Sequence, residues 1–283
     1  NLYNLATYHQ RQEFFHTGGA FSYEQLDPLL QGTDAYQALP AKVSQQVLRQ
    51  VGQCWQSFFA ATKAFFFFPE KFTAPPRLPG YKPKQTGRNI IIYTAQALSR
   101  PGLRQGQIIP SQTTLHFKTK QQQIHQVRIV PRVNHYVVEV VYERETQDLG
   151  MERNHIAGID IGVDNLAAVT SNTEGFTPLL INGRPLKSIN SYYNQKKAKL
   201  QSTLESSQKT SSSLQELTHK RNCKVDNYLH HASKTVISRL VEHNVGTLVI
   251  GKNPEWKQEI NLGKVNNQNF VSIPHARFIH QLT

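Results

Sequence analysis

The chain has 283 residues, with 32 lysines and arginines against 19 acids, a formal charge of +13 and a pI near 9.7. That length accommodates more than one domain, and the charge points to a polyanion, nucleic acid before an acidic membrane surface. No run of about 18 apolar residues exists to span a bilayer, no secretory signal opens the sequence, and Cys54 and Cys223 lie too far apart to form a ligand motif, which reads as reduced thiols in a cytoplasmic, nucleoid-associated protein.

The first residue is Asn1, and Leu2, Leu5, Ala6 and His9 recur at helical spacing. At the other end Ser272 and Pro274 mark a helix start whose apolar face, Phe278, Ile279 and Leu282, runs up to Thr283. Both ends read as lying inside helices, so the expectation is a fragment in which a site can be incomplete. Residues 1–68 are helical in pattern. Leu39-Pro40-Ala41-Lys42 opens a helix running to about Phe65, with Val43, Val47, Val51 and Trp55 along one face beside Leu48, Phe58 and Phe59. Gln45, Gln46, Gln50, Gln53 and Gln56 fill much of the other face, either as an ordinary solvated exterior or to meet sugar and base edges without repelling phosphate. The run Phe65–Phe68 suits core packing or base stacking.

Residues 69–150 form a second segment. Pro69, Pro75, Pro76, Pro79 and Pro83 exclude a regular element, and Lys71, Arg77, Lys82, Lys84 and Arg88 are interleaved with Phe72 and Tyr81. Basic residues with intervening aromatics on a stiff ribbon suit a nucleic-acid backbone, the alternative being a solvated connector. Strands are expected at Ile90–Tyr93, Thr114–Lys118, Gln126–Val130 and Tyr136–Tyr142, and short strands without intervening helices suggest a small antiparallel barrel. Its basic side would carry Lys118, Lys120, Arg128 and Arg132. The polar stretch 146–154 places a boundary near residue 150.

Residues 151–283 open on a hairpin, in which Ile156–Ile161 and Leu166–Thr170 flank the turn Gly162-Val163-Asp164-Asn165. Asp160 sits inside the first apolar run. A carboxylate in a buried strand needs a partner, and a divalent cation, Mg²⁺ or Mn²⁺, is the simplest one. Asp capping the turn is the alternative. A third strand is expected at Phe176–Ile181, a basic helix from Ile189 to about Glu205 with Lys187, Lys196, Lys197 and Lys199 nearby, a longer helix from Leu214 to about Asn244, and a buried strand over Gly246–Gly251. Hairpin, third strand, helices and fourth strand follow the order of an RNase H-like fold, in which the first and fourth strands are parallel neighbours and acids at their ends converge on two metals about 4 Å apart for phosphodiester cleavage. Adjacent His230 and His231 point apart on a helix, which favours structural roles. Lys252, Asn253, Trp256 and Lys257 follow the fourth strand and suit a nucleic-acid backbone, with Trp256 stacking a base or closing a core.

Several of these motifs together resemble a known family. Gly158-Ile159-Asp160-Ile161-Gly162, Asn165-Leu166-Ala167, Ile181-Asn182-Gly183-Arg184, His230-His231-Ala232-Ser233, Leu248-Val249-Ile250-Gly251-Lys252-Asn253 and Asn266-Asn267-Gln268-Asn269-Phe270 are similar to the RuvC-type nuclease core of TnpB/OrfB transposon proteins, relatives of the type V CRISPR effectors. Ala38–Lys42 and Gln45-Gln46-Val47 extend the resemblance over nearly the whole chain. It implies an α/β and α+β multidomain protein with a helical recognition lobe, a wedge-like β-barrel and an RNase H-like (RuvC) domain. It also implies an RNA-guided, metal-dependent DNA endonuclease whose partners are DNA and a guide RNA from the transposon end. Asp160 would be catalytic and metal-binding. The family usually carries a second acid where Gly251 stands, so the acid is relocated or the site is dead. Glu255 and Glu259 are the near candidates. The family's zinc-binding cysteines and final metal-binding Asp are expected only beyond Thr283. The expectation is therefore a protein that binds nucleic acid and, as this fragment, does not cut it. The alternative is a non-catalytic transposon relic or regulator, with a DDE-like recombinase a distant third.

Overall fold

The computed structural model describes residues 1–121, 123–205, 208–251, 263 and 272–283. The chain divides into two compact units, Asn1–Glu145 and Thr146–Thr283. No helix among the described residues is long and apolar enough to cross a membrane.

In the first unit, α1 (Leu2–Thr17), α2 (Tyr23–Leu30), the one-turn α3 (Asp34–Gln37) and α4 (Ala41–Phe67) pack around a core of their own. Helix α4 has 27 residues, about 40 Å at 1.5 Å per residue, and its i,i+4 stripe Val43, Val47, Val51 and Trp55 is buried. Phe14 closes on Trp55, Phe58 and Phe59 with centroids 5.3–6.1 Å apart. That aromatic cluster ends at Phe59, while α4 runs two turns further. Phe66, Phe67 and Phe68 are consequently 81, 60 and 49% exposed, which removes the core reading for these three.

Beyond α4, one 3₁₀ turn at Pro69–Lys71 precedes a strap without regular structure up to residue 90. Then follow β1 (Ile91–Thr94), α5 (Arg100–Arg104), β2 (Gln107–Ile108), β3 (Phe117–Lys118), β4 (Ile124–Pro131) and β5 (Tyr136–Tyr142). The strands form a three-stranded antiparallel sheet, β1-β4-β5, and a separate β2-β3 pair. The expected barrel does not close among the described residues. The strand expected over 114–118 shrinks to Phe117–Lys118, because Pro110 offers no N–H and Gln112 takes φ +57°, which together end the pairing. Val43 of α4 is buried in the core of this sheet with Tyr93, Leu98, Ile108 and Val127, so α4 contributes to both the helical core and that of the strands.

The second unit is built on a four-stranded sheet in the order β8-β7-β6-β9, made from β6 (Glu152–Asp160), β7 (Asn165–Ser171), β8 (Leu179–Asn182) and β9 (Val245–Ile250). Strands β6 and β7 form the hairpin, β8 runs antiparallel to β7, and β9 runs parallel to β6. Helices α6 (Arg184–Gln201) and α7 (Ser212–Glu242) connect β8 to β9, and α8 (His275–Leu282) follows. Helix α6 starts five residues earlier than its apolar pattern indicates, with Pro185 in its first turn, where the missing N–H costs nothing. Ser211 caps α7 through the Leu214 amide. One face of the sheet, including Ala157, Ile159, Val169 and Ile181, is buried with Leu229, Val236 and Leu240 of α7 and Phe278 of α8. Side chains alternate across a strand. The other face carries Ile156, Gly158, Asp160, Leu180 and Val249, all exposed.

Candidate nucleic-acid interface and strand-end acid

Asp160 is the last residue of β6, and it corrects one expectation: the strand is buried on one face only, and Asp160 lies on the exposed one. It stands at the strand end, not within the strand. Ile159 pairs with Ile250 in the parallel β6–β9 ladder, so Asp160 and Gly251 come at the same level one residue on. The turn after Asp160 is held from three sides. The Gly183 amide donates to the Asp164 carbonyl at 2.7 Å, a His275 ring nitrogen lies 3.0 Å from the Gly162 carbonyl, and Lys187 Nζ donates to Asp164 Oδ1 at 2.6 Å. Gly183 has to be glycine, because a Cβ there would come within 2.2 Å of the Val163 carbonyl oxygen.

The bond and charge of Lys187 hold the Asp164 carboxyl below the usual carboxylate range. A depressed folded-state pKa means that the pair's contribution is present above the unfolded carboxylate pKa of about 3.9 and is lost as pH falls through the folded value. Both groups meet solvent, so the contribution is small. Lys187→Met is expected to return Asp164 to the ordinary carboxylate range in an NMR titration of its side-chain carboxyl. An unchanged midpoint would show that Lys187 is not what lowers it.

A cation site of the kind the resemblance implies needs several oxygen ligands. Among the described residues, no group of three or more His, Cys, Asp or Glu side chains could hold a metal ion. Asp160 faces a glycine across the strand ends, Asp164 is engaged by Lys187, and Asp226 is paired with Arg277. The described residues thus do not fit a two-metal centre. Glu255 and Glu259 lie outside the described residues.

In the first unit the proline-rich strap and the glutamine face of α4 meet at a cleft of about 830 Å³. Gln50, Gln53, Arg77, Lys82, Arg88 and Asn89 line it. The strap is fastened rather than loose. Asn4 bonds both the carbonyl and the amide of Lys82 at 2.8 Å, Arg11 donates to the Pro79 carbonyl at 3.1 Å, and Asn89 donates to Gln50 at 3.0 Å. The Lys82 ammonium lies 4.8 Å from the Tyr3 ring centroid and the Arg88 guanidinium 5.4 Å from that of Tyr136. Among the described residues no carboxylate pairs with Arg77, Lys82 or Arg88. Three uncompensated cations in one concavity, with glutamine amides between them, make a surface suited to a phosphodiester backbone.

The remaining basic residues singled out by sequence are dispersed. Lys71 stacks on Phe68 at 4.2 Å and Lys84 is exposed, and neither lines the cleft. In the second unit Lys196 lines a groove between α6 and α7, whereas Lys197 lies 5.8 Å from the Tyr193 ring and outside that groove. Lys252, Asn253, Trp256 and Lys257 lie outside the described residues, as does the 266–270 motif. His230 and His231 are exposed on α7. No sequence pattern singles out Tyr3, Asn4 or Arg11, although Asn4 and Arg11 shape the strap through bonds to residues 68 to 78 positions away. Lys199 belongs to the expected basic helix, whereas Tyr192 is legible only as the i,i+4 neighbour of Lys196 and Lys220 only as that of Lys224.

Residues 118–257 match the family model OrfB_IS605, described as "Probable transposase". No curated protein matches the chain. Among solved structures, the chain is similar to one from a cryo-EM structure of the Cas12f1–sgRNA–target DNA complex, with a TM-score of 0.56 at 12% identity over 99% of this chain and 67% of that one. At that identity the likeness is one of fold. A chain from a CRISPR-Cas12f ternary complex aligns with a TM-score of 0.36 at 11% identity, over 99% of this chain and 66% of that one. The family match to the OrfB_IS605 probable transposases thus covers just under half of the chain, residues 118–257, and the likeness of fold covers nearly all of it.

Proposed function

We propose that the chain is a TnpB-like protein that binds DNA and a guide RNA, with its second unit a RuvC-type, RNase H-like domain and its first unit gripping the nucleic-acid backbone. As residues 1–283 it holds nucleic acid without cutting it. The observation that carries the binding reading is the meeting of Arg77, Lys82 and Arg88 with Gln50 and Gln53 in one cleft free of acids among its lining residues. The solved Cas12f1 relative in fold is a complex with sgRNA and target DNA, and the OrfB_IS605 match supplies the transposon context. The parallel pairing of β6 with β9, with Asp160 at the end of β6, supports the RuvC reading. Gly251 beside it supports the non-cutting half. Metal-dependent phosphodiester hydrolysis belongs to a member with its acids complete, and the non-catalytic relic or regulator is the second reading that Gly251 favours.

Purified 1–283 is expected to shift labelled RNA and DNA in a native gel and to leave the DNA intact with Mn²⁺ or Mg²⁺. Asp160→Ala should bind as the parent does. Robust Mn²⁺-dependent cutting that Asp160→Ala abolishes would overturn the non-cutting reading, and absence of any binding to either nucleic acid would overturn the whole.

A further inference from the structure

The groove between α6 and α7 is a feature that the proposed function does not use. It has a volume of about 790 Å³ and lies wholly within the second unit. Its apolar floor is Ile189, Leu200 and Leu217, and its walls carry Tyr192, Tyr193, Lys196, Lys199, Lys220 and Lys224. Glu216 is the one acid in the lining, and it takes Lys220 at 2.7 Å. Lys196, Lys199 and Lys224 have no carboxylate partner among the described residues.

Exposed lysines on a helix are usually a solvated face, but two further observations separate this groove from one. The first is an aromatic ring held out to solvent: Tyr192 is 56% exposed at the groove, with the Lys196 ammonium 5.8 Å from its centroid. A large ring left in water at a concave, cationic site is the arrangement on which an unpaired base stacks while its phosphate meets the lysines. The second is that the walls are fixed. The Tyr193 hydroxyl lies 3.2 Å from Thr218 Oγ1, tying α6 to α7. Arg221 forks onto Asn190 of α6 at 2.6 and 2.8 Å and reaches the Ser272 carbonyl at 2.9 Å. The groove therefore pre-exists any ligand, so little ordering opposes binding.

We infer that the α6–α7 groove is a binding site for a single strand of nucleic acid, with Tyr192 as the stacking platform and Lys196, Lys199 and Lys224 on the backbone. The inference rests on the nucleic-acid reading above and deepens it. A duplex offers no free base face to Tyr192, so the groove discriminates against paired nucleic acid. RNA and DNA strands share the required chemistry, bases and phosphates, and matched strands distinguish them.

Fluorescence anisotropy of the full chain with fluorescein-labelled single-stranded RNA and DNA of one sequence, a matched duplex and inorganic polyphosphate tests this. Tyr192→Ala is expected to weaken single-strand binding by about 10-fold, to leave duplex and polyphosphate unchanged, and to be rescued by Tyr192→Phe. Replacing Lys196, Lys199 and Lys224 together by alanine should lower the slope of log K against log salt by about 2 for single strands. If Tyr192→Ala is silent, or the lysine variant weakens polyphosphate as much as the strands, the groove is merely a positive surface and the inference fails. A parallel Arg77/Lys82/Arg88 alanine variant separates the two ideas. If it weakens binding while the α6–α7 variants do not, the inference alone falls; if the parent binds no nucleic acid, both fall. Circular dichroism checks that each variant is folded.

Discussion

Replacing Arg77, Lys82 and Arg88 together by alanine is expected to weaken nucleic-acid binding by about 100-fold at moderate salt and to lower the log K against log salt slope by about 2–3 for duplex DNA. The size follows from the cleft. All three cations line one concavity, no carboxylate among the described residues neutralises them, and Asn4 and Arg11 pin the strap that carries all of them. Each phosphate left without its cation keeps its condensed counterion, so the salt slope reports directly how many phosphates the cleft neutralises. Replacing Lys71, Lys84 and Arg104 instead removes the same charge from outside the cleft. If that control weakens binding equally, net charge rather than the cleft governs affinity.

Gly251→Asp is expected to create an Mn²⁺ site with a dissociation constant on the order of 0.1–1 mM, the range of weak oxygen-ligand sites. The β6–β9 register brings residue 251 level with Asp160 on a neighbouring parallel strand, about 4.8 Å away. A Cβ at residue 251 would meet no described atom within 4 Å, so the side chain enters without displacing the fold. Two carboxylates that close repel each other, and a divalent cation between them relieves the repulsion. Isothermal titration with MnCl₂ reads the effect. The gain should vanish in Gly251→Asp combined with Asp160→Ala and be absent in Gly251→Asn. A folded Gly251→Asp chain without Mn²⁺ affinity would show that the two strand ends do not face a common point, and equal affinity in the parent would show that other acids already complete the site.

Much of the fold was legible because hydrophobic spacing carried it. The Val43-Val47-Val51-Trp55 stripe, the hairpin around residues 162–165 and the long α7 stand where their periodicities put them. The open β1-β4-β5 sheet was not legible as such, because closure depends on pairing length and Pro110 and Gln112 cut the β2-β3 pair to two residues. Asp160 was misread as buried for a different reason. The apolar run Ile156–Ile161 has isoleucines on both faces, which is also the pattern of a strand covered on both sides. Here the face of Ile156 and Asp160 stays open, with Leu180 and Val249 beside it at 63 and 56% exposure. The cleft in the first unit was half legible. The cations and glutamines are visible as composition, but their meeting depends on bonds such as Asn4 to Lys82, which no local pattern announces.

The two cysteines have a practical consequence. They are the only thiols in the chain, both are free and exposed, and one lies in each compact unit, Cys54 in the lining of the first unit's cleft and Cys223 on α7. Nature has supplied one attachment point per half. A dye on Cys54 of the unaltered protein would therefore report nucleic acid arriving in the cleft, and one on Cys223 what happens on α7.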